Sequence, residues 1–422
     1  MAIHNLNTLS HRTWEIDASN DTWVLGVHGM IIGNDMDGVH ASDAISEATI
    51  KVDGSIILGG DHAGMNIQSD HASLTIGKDG YVWAGTGINY ANLSGSATIY
   101  NRGLLEGGNG IAASTVQEGA IIHNSGRIDV SDTGIHLTGA DGQIANDRVI
   151  KAATAIQLDA GDNDNQPLEH INATHIVNEG KIIGTDTAIA AGDVAVNINN
   201  RGLISGQVQL GSGDDILFSR LGTVKGDILA GAGDDIIDMV GSLYKGTIHG
   251  GLGDDTFRID SAETNLVELD GAGVDTVTID GSYTLGGNLE NLFVTGAGNH
   301  TGVGNELDNR IRGNSGVNSL FGMDGNDVLD GRKGHDTLTG GAGADCFVFK
   351  NGYGSDLIMD FADGTDHIDL HGAAGIDDFG DLTGKITQVG DNLIITLNDY
   401  DHLVLKNAAL NETQLTADDF IF

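Results

Sequence analysis

The stretch GNELDNRIR GNSGVNSLF GMDGNDVLD GRKGHDTLT GGAGADCFV, Gly304 to Val348, is five nonapeptides laid end to end. Each opens on glycine and carries an apolar residue at position eight. Position six is Asn309, Asn318, Asp327, Asp336 and Asp345 in turn. Such a period suits short strands coiled into a stack and joined by tight turns. Glycines at positions one, two and four are expected to take positive φ, so that backbone carbonyls turn toward an ion. The aspartate adds a hard anionic oxygen, and the apolar residue packs inward. Calcium takes roughly six to eight oxygens, more than one turn supplies, so an ion is expected between neighbouring turns on the same side. The candidate ligand turns hold Gly322, Asp324 and Asp327, then Gly331, Gly334 and Asp336, then Gly340, Gly341, Gly343 and Asp345. Asn309 and Asn318 keep an oxygen and lose the charge, so their sites should be weaker or empty.

A related pattern stands upstream: LGSGDDILF, AGAGDDIID, GGLGDDTFR and DGAGVDTVT, with Gly213, Gly233, Gly253 and Gly273 each 20 residues apart. Two nonapeptides make about eighteen residues, so each coil is expected to hold one good calcium turn and one degenerate turn. The candidates are Gly211, Gly213, Asp214 and Asp215; Gly231, Gly233, Asp234 and Asp235; Gly251, Gly253, Asp254 and Asp255; and Gly271, Gly273 and Asp275. Pairing of turns allows about three ions here and about three in the nonapeptides, about six at most.

The first half is a ladder of another kind. Gly54, Gly80, Gly103, Gly126, Gly180 and Gly202, with Arg148 in one equivalent place, recur at 22–26 residues apart from one step of 32. Four residues before each stand Ile50, Ile76, Ile99, Ile122, Ile144, Ile176 and Ile198. Two residues after stand Ile56, Val82, Leu105, Ile128, Ile150, Ile182 and Ile204. A second inward column is expected at Ile88, Ile111, Ile135, Ile156 and Ile189. Asn101, Asn124, Asn146, Asn178 and Asn200 recur two residues before the marker and should form an amide ladder. The long step is an insertion near Asp159–Thr174 that holds Pro167, the one proline.

Composition narrows the function. Sixty acidic against 20 basic residues give a formal charge of −40, which argues against nucleic acid and anionic membrane as partners. Gly is 65 of 422 while apolar residues are 40%, so the glycine belongs to repeats and not to a disordered tail. The lone Cys346 excludes an intrachain disulfide and occupies a strand position. There is no apolar run of transmembrane length, and no cleaved N-terminal signal peptide is expected.

The nonapeptides resemble the calcium repeats of RTX (repeats-in-toxin, hemolysin-type) proteins. The likeness extends over about Leu210–Phe422, because DLIMDFADGTDHIDL, Asp356 to Leu370, resembles the segment that closes such rolls, and TADDFIF at the end resembles an uncleaved type I secretion address. The resemblance implies a protein of Gram-negative bacteria exported by type I machinery, unfolded in the cytosol and folding outside on calcium. The first half resembles right-handed parallel β-helices of adhesins and of polysaccharide lyases and epimerases. The expected fold is therefore all-β, a right-handed parallel β-helix followed by an RTX parallel β-roll. The expected organisation is a cap over 1–45, β-helix over 46–209, a first calcium array over 210–280, a bridge over 281–303, the roll over 304–349, and a closing segment with the secretion signal over 350–422.

Catalytic motifs are sparse. H-E-x-x-H and G-x-S-x-G are absent, which argues against metalloprotease and lipase chemistry. Asp61–His62 and Asp70–His71 are the candidates for proton transfer on an acidic polysaccharide, and solvated turns are the alternative. Tyr81 and Trp83 should face outward beside inward Val82, with Tyr90 near, as a surface for stacking sugar rings or for covering the first coils. Asp159, Asp162, Asp164, Glu169 and His170 in the insertion form an acidic loop. The expected role is a secreted calcium-binding protein of the cell surface or matrix that contacts glycans; the alternative is a polysaccharide lyase or C5-epimerase.

Overall fold

The computed structural model describes residues 2–43, 45–68, 71–93, 97–115, 119–139, 141–160, 173–408 and 415–422. The chain is a nearly all-β parallel solenoid. Two short 3-10 turns, Phe379–Leu382 and Ala417–Asp419, are its helical segments among the described residues. No helix among the described residues is long and apolar enough to cross a membrane. The chain divides into two compact units, Met1–His249 and Gly250–Phe422.

In the first unit one face stacks Thr49–Val52, Ser73–Ile76, Thr98–Asn101, Ile121–Asn124, Gln143–Asn146, Thr174–Asn178 and Val196–Asn200 in unbroken parallel register. That register places Ile50, Leu74, Ile99, Ile122, Ile144, Ile176 and Ile198 one above another, each at most 1% exposed; Ile76, expected in this column, stands instead between Val52 and Asn101, because its coil is shifted by two residues. A coil of 22–26 residues has only one strand per face, so a single coil leaves its inward aliphatic in water. The coils above and below remove it, and the stack is the smallest unit that buries a core. The marker glycines serve close approach: a Cβ on Gly103 would stand 2.2 Å from the Gly80 carbonyl oxygen, and one on Gly202 2.1 Å from that of Gly180.

The asparagine column forms a continuous ladder. Asn101 Nδ2 donates to Asn124 Oδ1, Asn124 to Asn146, Asn146 to Asn178 and Asn178 to Asn200, each at 2.8 Å. Asn200 ends the series on Ser219 Oγ at 2.9 Å. All five amides are fully buried, which is tolerable because each carbonyl accepts and each NH2 donates.

Strand pairing runs on across two of the expected boundaries. Strands before residue 46 continue the stack: Ile3–Leu6 pairs with Thr22–Leu25, which pairs with Thr49–Val52, all parallel and in register. Their glycine and isoleucine markers are degenerate, so the 22–26-residue pattern hides them. The change of repeat at Leu210 is not a structural break either, since Leu203–Ser212 pairs with both Thr223–Lys225 and Ile228–Ala232.

In the second unit alternate turns build two parallel sheets. One stacks Arg310–Arg312, Val328–Asp330, Cys346–Val348, His367–Asp369 and Phe420–Ile421. The other stacks Thr301–Val303, Ser319–Asp324, Thr337–Ala342, Ser355–Ile358 and His402–Leu405, and the antiparallel strands Asn392–Thr396 and Ile386–Val389 continue it. The position-eight residues Ile311, Leu320, Leu329, Leu338 and Phe347 are at most 1% exposed and fill the space between the sheets.

The ladder yields a stability prediction. Asn146→Leu leaves the buried Asn178 Oδ1 without its donor and takes one acceptor from Asn124, and should cost about 2–3 kcal/mol. Urea unfolding of the full chain measures it, and an unchanged midpoint would show that the ladder is incidental to stability.

Candidate metal centre

The aspartates at position six are buried, and each carboxylate is divided between two tasks. Its Oδ1 accepts the backbone N–H of the corresponding residue one coil earlier. Asp327 receives Asn309 N at 2.7 Å, Asp345 receives Asp327 N at 3.0 Å, and Asp366 receives Asp345 N at 3.0 Å. On the other side Asp336 receives Asn318 N at 2.7 Å and Asp356 receives Asp336 N at 2.9 Å. The two columns reflect the register, in which nonapeptides one, three and five share one sheet and two and four the other.

The remaining oxygen is left over. Oδ2 of Asp327, Asp336 and Asp356 is buried with no hydrogen-bond partner among the described residues. It lies against the glycine at position one: a Cβ on Gly322 would stand 2.1 Å from Asp327 Oδ2 and 2.5 Å from the Gly340 carbonyl oxygen. Gly340 faces Asp345 Oδ2 in the same way at 2.1 Å, and Gly331 faces Asp336 Oδ2 at 2.5 Å. At Gly322 a carboxylate oxygen and a carbonyl oxygen thus converge on one point, an arrangement that a proton or a cation between them stabilises. The donor set is all oxygen, which suits calcium and not a soft metal.

The glycines do two different things. Positive φ occurs at positions two and four, as at Gly341 (111°), Gly325 (114°), Gly334 (149°) and Gly343 (143°). Gly322, Gly331 and Gly340 at position one lack it, contrary to expectation; they are glycine because the carboxylate occupies the space of a side chain. Met323 and Arg332 take the position-two geometry at φ 91° and 69° without being glycine, so these two turns are strained.

The asparagine turns are different. Asn309 Oδ1 accepts Asn305 N at 2.7 Å, and Asn318 Oδ1 accepts Asn314 N at 3.0 Å. The Asn305 amide donates to the Gly286 and Leu289 carbonyls, both at 2.7 Å, and the Asn314 amide donates to Thr295 and Gly298. Neutral N–H groups satisfy oxygens here that the aspartate turns leave open.

The upstream array repeats the arrangement. In the first unit Asp215 Oδ1 accepts Val196 N at 2.6 Å, Asp235 Oδ1 accepts Asp215 N at 2.7 Å, and the exposed Asp214 accepts Asp234 N at 3.0 Å. In the second unit Asp275 accepts Asp255 N, and Asp254 accepts Val274 N, both at 2.8 Å. Gly211, Gly213, Gly231, Gly233, Gly251, Gly253, Gly271 and Gly273 all carry positive φ.

Three participants escaped the sequence reading. Asp356 follows Gly352 and Gly354, both at positive φ, so G-Y-G-S-D is a further copy of the motif inside the closing segment. Asp366 continues the other column with no glycine signature before it. Glu268, 6% exposed, is the third and lies among Asp255 and Asp275. Asp324 is on the surface of its turn.

The remaining candidates are dispersed. His62 lies 3.7 Å from Asp37 Oδ1, whereas His71 sits on an exposed turn at φ 57°. No hydrogen bond or ion pair among the described residues joins them, and Asp70 lies outside the described residues. Trp83 is 42% exposed and Tyr81 donates to Glu106 Oε2 at 2.9 Å, but Tyr90 is fully buried with its hydroxyl on the Ala72 carbonyl, so it is no part of an outer aromatic surface. Asp159 pairs with His136 at 2.7 Å; Asp162, Asp164, Glu169 and His170 lie outside the described residues.

Burial sets the proton affinity of the array. Desolvation, then neighbouring charges, pushes Asp327 up to about 7 and Asp356 to about 8, and burial chiefly pushes Asp336 to about 6. Asp215 rises to about 8 from the same causes. These folded values lie above the unfolded 3.8, so the stabilisation by protonation is complete below about pH 4 and is lost as pH rises through 6 to 8. Calcium competes with these protons and should bind more tightly by on the order of tenfold per pH unit for each proton displaced. Calorimetry in two buffers of different ionisation enthalpy measures the proton release; an affinity independent of pH between 6 and 8 would contradict the assignment.

Comparison with known proteins agrees with this geometry. A family model described as the RTX calcium-binding nonapeptide repeat (4 copies) matches residues 303–338, 312–347 and 321–356. A curated relative, Endo-1,3-1,4-beta-glycanase ExsH of Rhizobium meliloti (strain 1021), is 47% identical over 133 residues, 32% of this chain. The match spans about a quarter, 26%, of that relative's length. Among solved structures, the extracellular lipase LipA from Serratia marcescens aligns over 60% of this chain and 45% of that one at 18% identity, with a TM-score of 0.20, too slight a likeness to carry an argument. Residues 303–356 are RTX calcium-binding nonapeptide repeats, borne on a parallel β-solenoid.

Proposed function

We propose that this chain is a secreted protein whose fold is completed by extracellular calcium and whose first unit contacts glycans of a surface or matrix. The observation that carries the first part is the row of half-bonded carboxylates. Asp327, Asp336 and Asp356 are all nearly inaccessible within thirty residues, each with Oδ2 lacking a hydrogen-bond partner among the described residues. An unpaired buried charge costs several kcal/mol, so three rival the whole stability of an ordinary domain, ~5–15 kcal/mol. Protonation removes that cost in acid and calcium removes it at neutral pH. Ions between Asp327 and Asp345, and between Asp336 and Asp356, are the placements that use the leftover oxygens. The asparagine turns at Asn309 and Asn318 need no ion.

Low cytosolic and millimolar extracellular calcium would then act as the folding switch, since extracellular calcium modules bind at ~10⁻⁴–10⁻³ M. The terminal strand supports export before folding. Ile368 pairs with Phe420 and Asp369 with Ile421, and Phe420 is buried, so a type I machinery could read this tail only on an unfolded chain. The glycan part rests on the glycanase relative and on exposed Trp83. A second reading, action on an acidic polysaccharide as a lyase or C5-epimerase, draws on the Asp37–His62 pair and on that same relative.

Asn replacing both Asp327 and Asp345 should abolish the cooperative gain of β-structure of the second unit at 1–2 mM calcium, read by circular dichroism at about pH 7.5. A calcium-induced transition equal to that of the unaltered chain would remove these residues from the ligand set. For the first unit, proton NMR of acidic polysaccharides incubated with the calcium-loaded chain separates the two readings. Broadened but chemically unchanged signals are expected for a glycan contact; new unsaturated or epimerised uronate signals would establish the enzyme.

A further inference from the structure

One cluster of carboxylates in the second unit lies outside the residues matched by the nonapeptide family. Asp255, Glu268 and Asp275 each bring a carboxylate oxygen to within 4.8 Å of the other two, and all three residues are buried. Oxygens bound to one calcium stand about 2.3–2.6 Å from it, and therefore up to roughly twice that from one another, so this spacing fits a single ion.

Glu268 is what makes the cluster more than a copy of the aspartate columns. Its position repeats Val208, Ile228 and Ile248 at intervals of 20 residues, each five residues before the second glycine of its motif. Those three residues are fully buried aliphatics. In the fourth coil the same place holds a carboxylate that follows the inward Leu266 on the strand Asn265–Val267. A charge in a column built for aliphatics is destabilising unless something in the site compensates it.

The side chain shows where that compensation lies. Oε2 accepts the Gly251 N–H at 3.0 Å, which fixes the carboxylate plane. Oε1 is buried with no hydrogen-bond partner among the described residues. It is aimed over Gly250, where a Cβ would stand 1.9 Å from Glu268 Oε1 and 2.4 Å from Asp255 Oδ2. Two anionic oxygens thus share one space that only a glycine backbone leaves open.

We propose that Asp255, Glu268 and Asp275 form a separate cation site that takes one hard cation of calcium size through three carboxylates. The donors are all oxygen, so calcium, manganese and lanthanide ions fit and soft metals do not. Three full charges exceed what a pair of aspartate turns presents. The site should therefore fill first on titration and empty last under chelator, since ligand charge count tunes affinity across these sites. The inference rests on the reading that the chain binds calcium, but not on the nonapeptide array.

The test counts calcium bound per full-length chain by equilibrium dialysis, with affinities from calorimetry. Glu268→Gln should lose the tightest site, its Kd weakened by ~100-fold or more, while calcium still drives folding of the nonapeptide region. Glu268→Ile, which restores the aliphatic column, should bind one calcium fewer and melt higher than the unaltered chain in chelator. The double variant Asp327→Asn with Asp345→Asn should keep the tightest site, so the nonapeptide assignment can fail while this one stands. Unchanged stoichiometry and affinities in both Glu268 variants would overturn the site. A lower melting temperature of Glu268→Ile in chelator would also overturn it, since it would make Glu268 a brace for Gly251 and not a ligand.

Discussion

A carboxylate with one oxygen bonded and the other left over is the element on which the second unit depends. Oδ1 of Asp327, Asp336, Asp345, Asp356 and Asp366 ties each coil to the one before it, through a backbone N–H that strand pairing leaves free. That bond holds the side chain inward, and the inward position leaves Oδ2 of Asp327, Asp336 and Asp356 buried without a partner among the described residues; in Asp366 the Ala362 N–H takes that place. The ladder cannot be closed without gathering negative charge. A divalent cation at the points of convergence satisfies both oxygens and binds one coil to the next, so metal binding and coil stacking become one event.

The first unit solves the same geometric problem with neutral groups. The asparagine column runs through five successive coils, Asn101 to Asn200, with each amide both donating and accepting. It needs no ion and carries no charge to repel itself. Asn305, Asn309 and Asn314 carry the neutral solution into the start of the nonapeptides, where their amides donate to backbone carbonyls, and Asn318 Oδ1 accepts the Asn314 N–H. On the proposed function, amide-laddered coils hold their form without calcium and aspartate-laddered coils do not. The formal charge of −40 fits a chain that resists collapse until cations arrive.

The fold was legible where a side chain repeats at fixed phase. Ile50 through Ile198, Ile56 through Ile204 and Ile311 through Phe347 all lie inward, because a solenoid turns sequence period directly into stacking. Residues 3–41 were missed because their coils keep the strand pairing and lose the glycine and isoleucine markers; pairing depends on backbone and so survives substitution. Asp356 was legible in G-Y-G-S-D but was read as part of a closing segment. Asp366 has no glycine before it, and its place in the column follows only from the fold. Glu268 shows in the sequence as a break in the aliphatic column Val208, Ile228, Ile248, yet only coordinates reveal that the break faces two aspartates. Tyr90 was misplaced by its nearness in sequence to Tyr81 and Trp83, although it stands two residues after inward Ile88 on the same strand, so alternation takes its ring inward.

Amide hydrogen exchange of the full chain, with and without calcium at about pH 7.5, tests the central claim most directly. The account predicts that the N–H groups of Asn309, Asn318, Asp327 and Asp336, which bond to aspartate Oδ1, are protected only when calcium is present. Rung amides of the asparagine coils in the first unit should be protected in both conditions. Equal protection of the Asp327 and Asp336 amides in chelator would contradict it, since the carboxylate ladder would then stand without its cations.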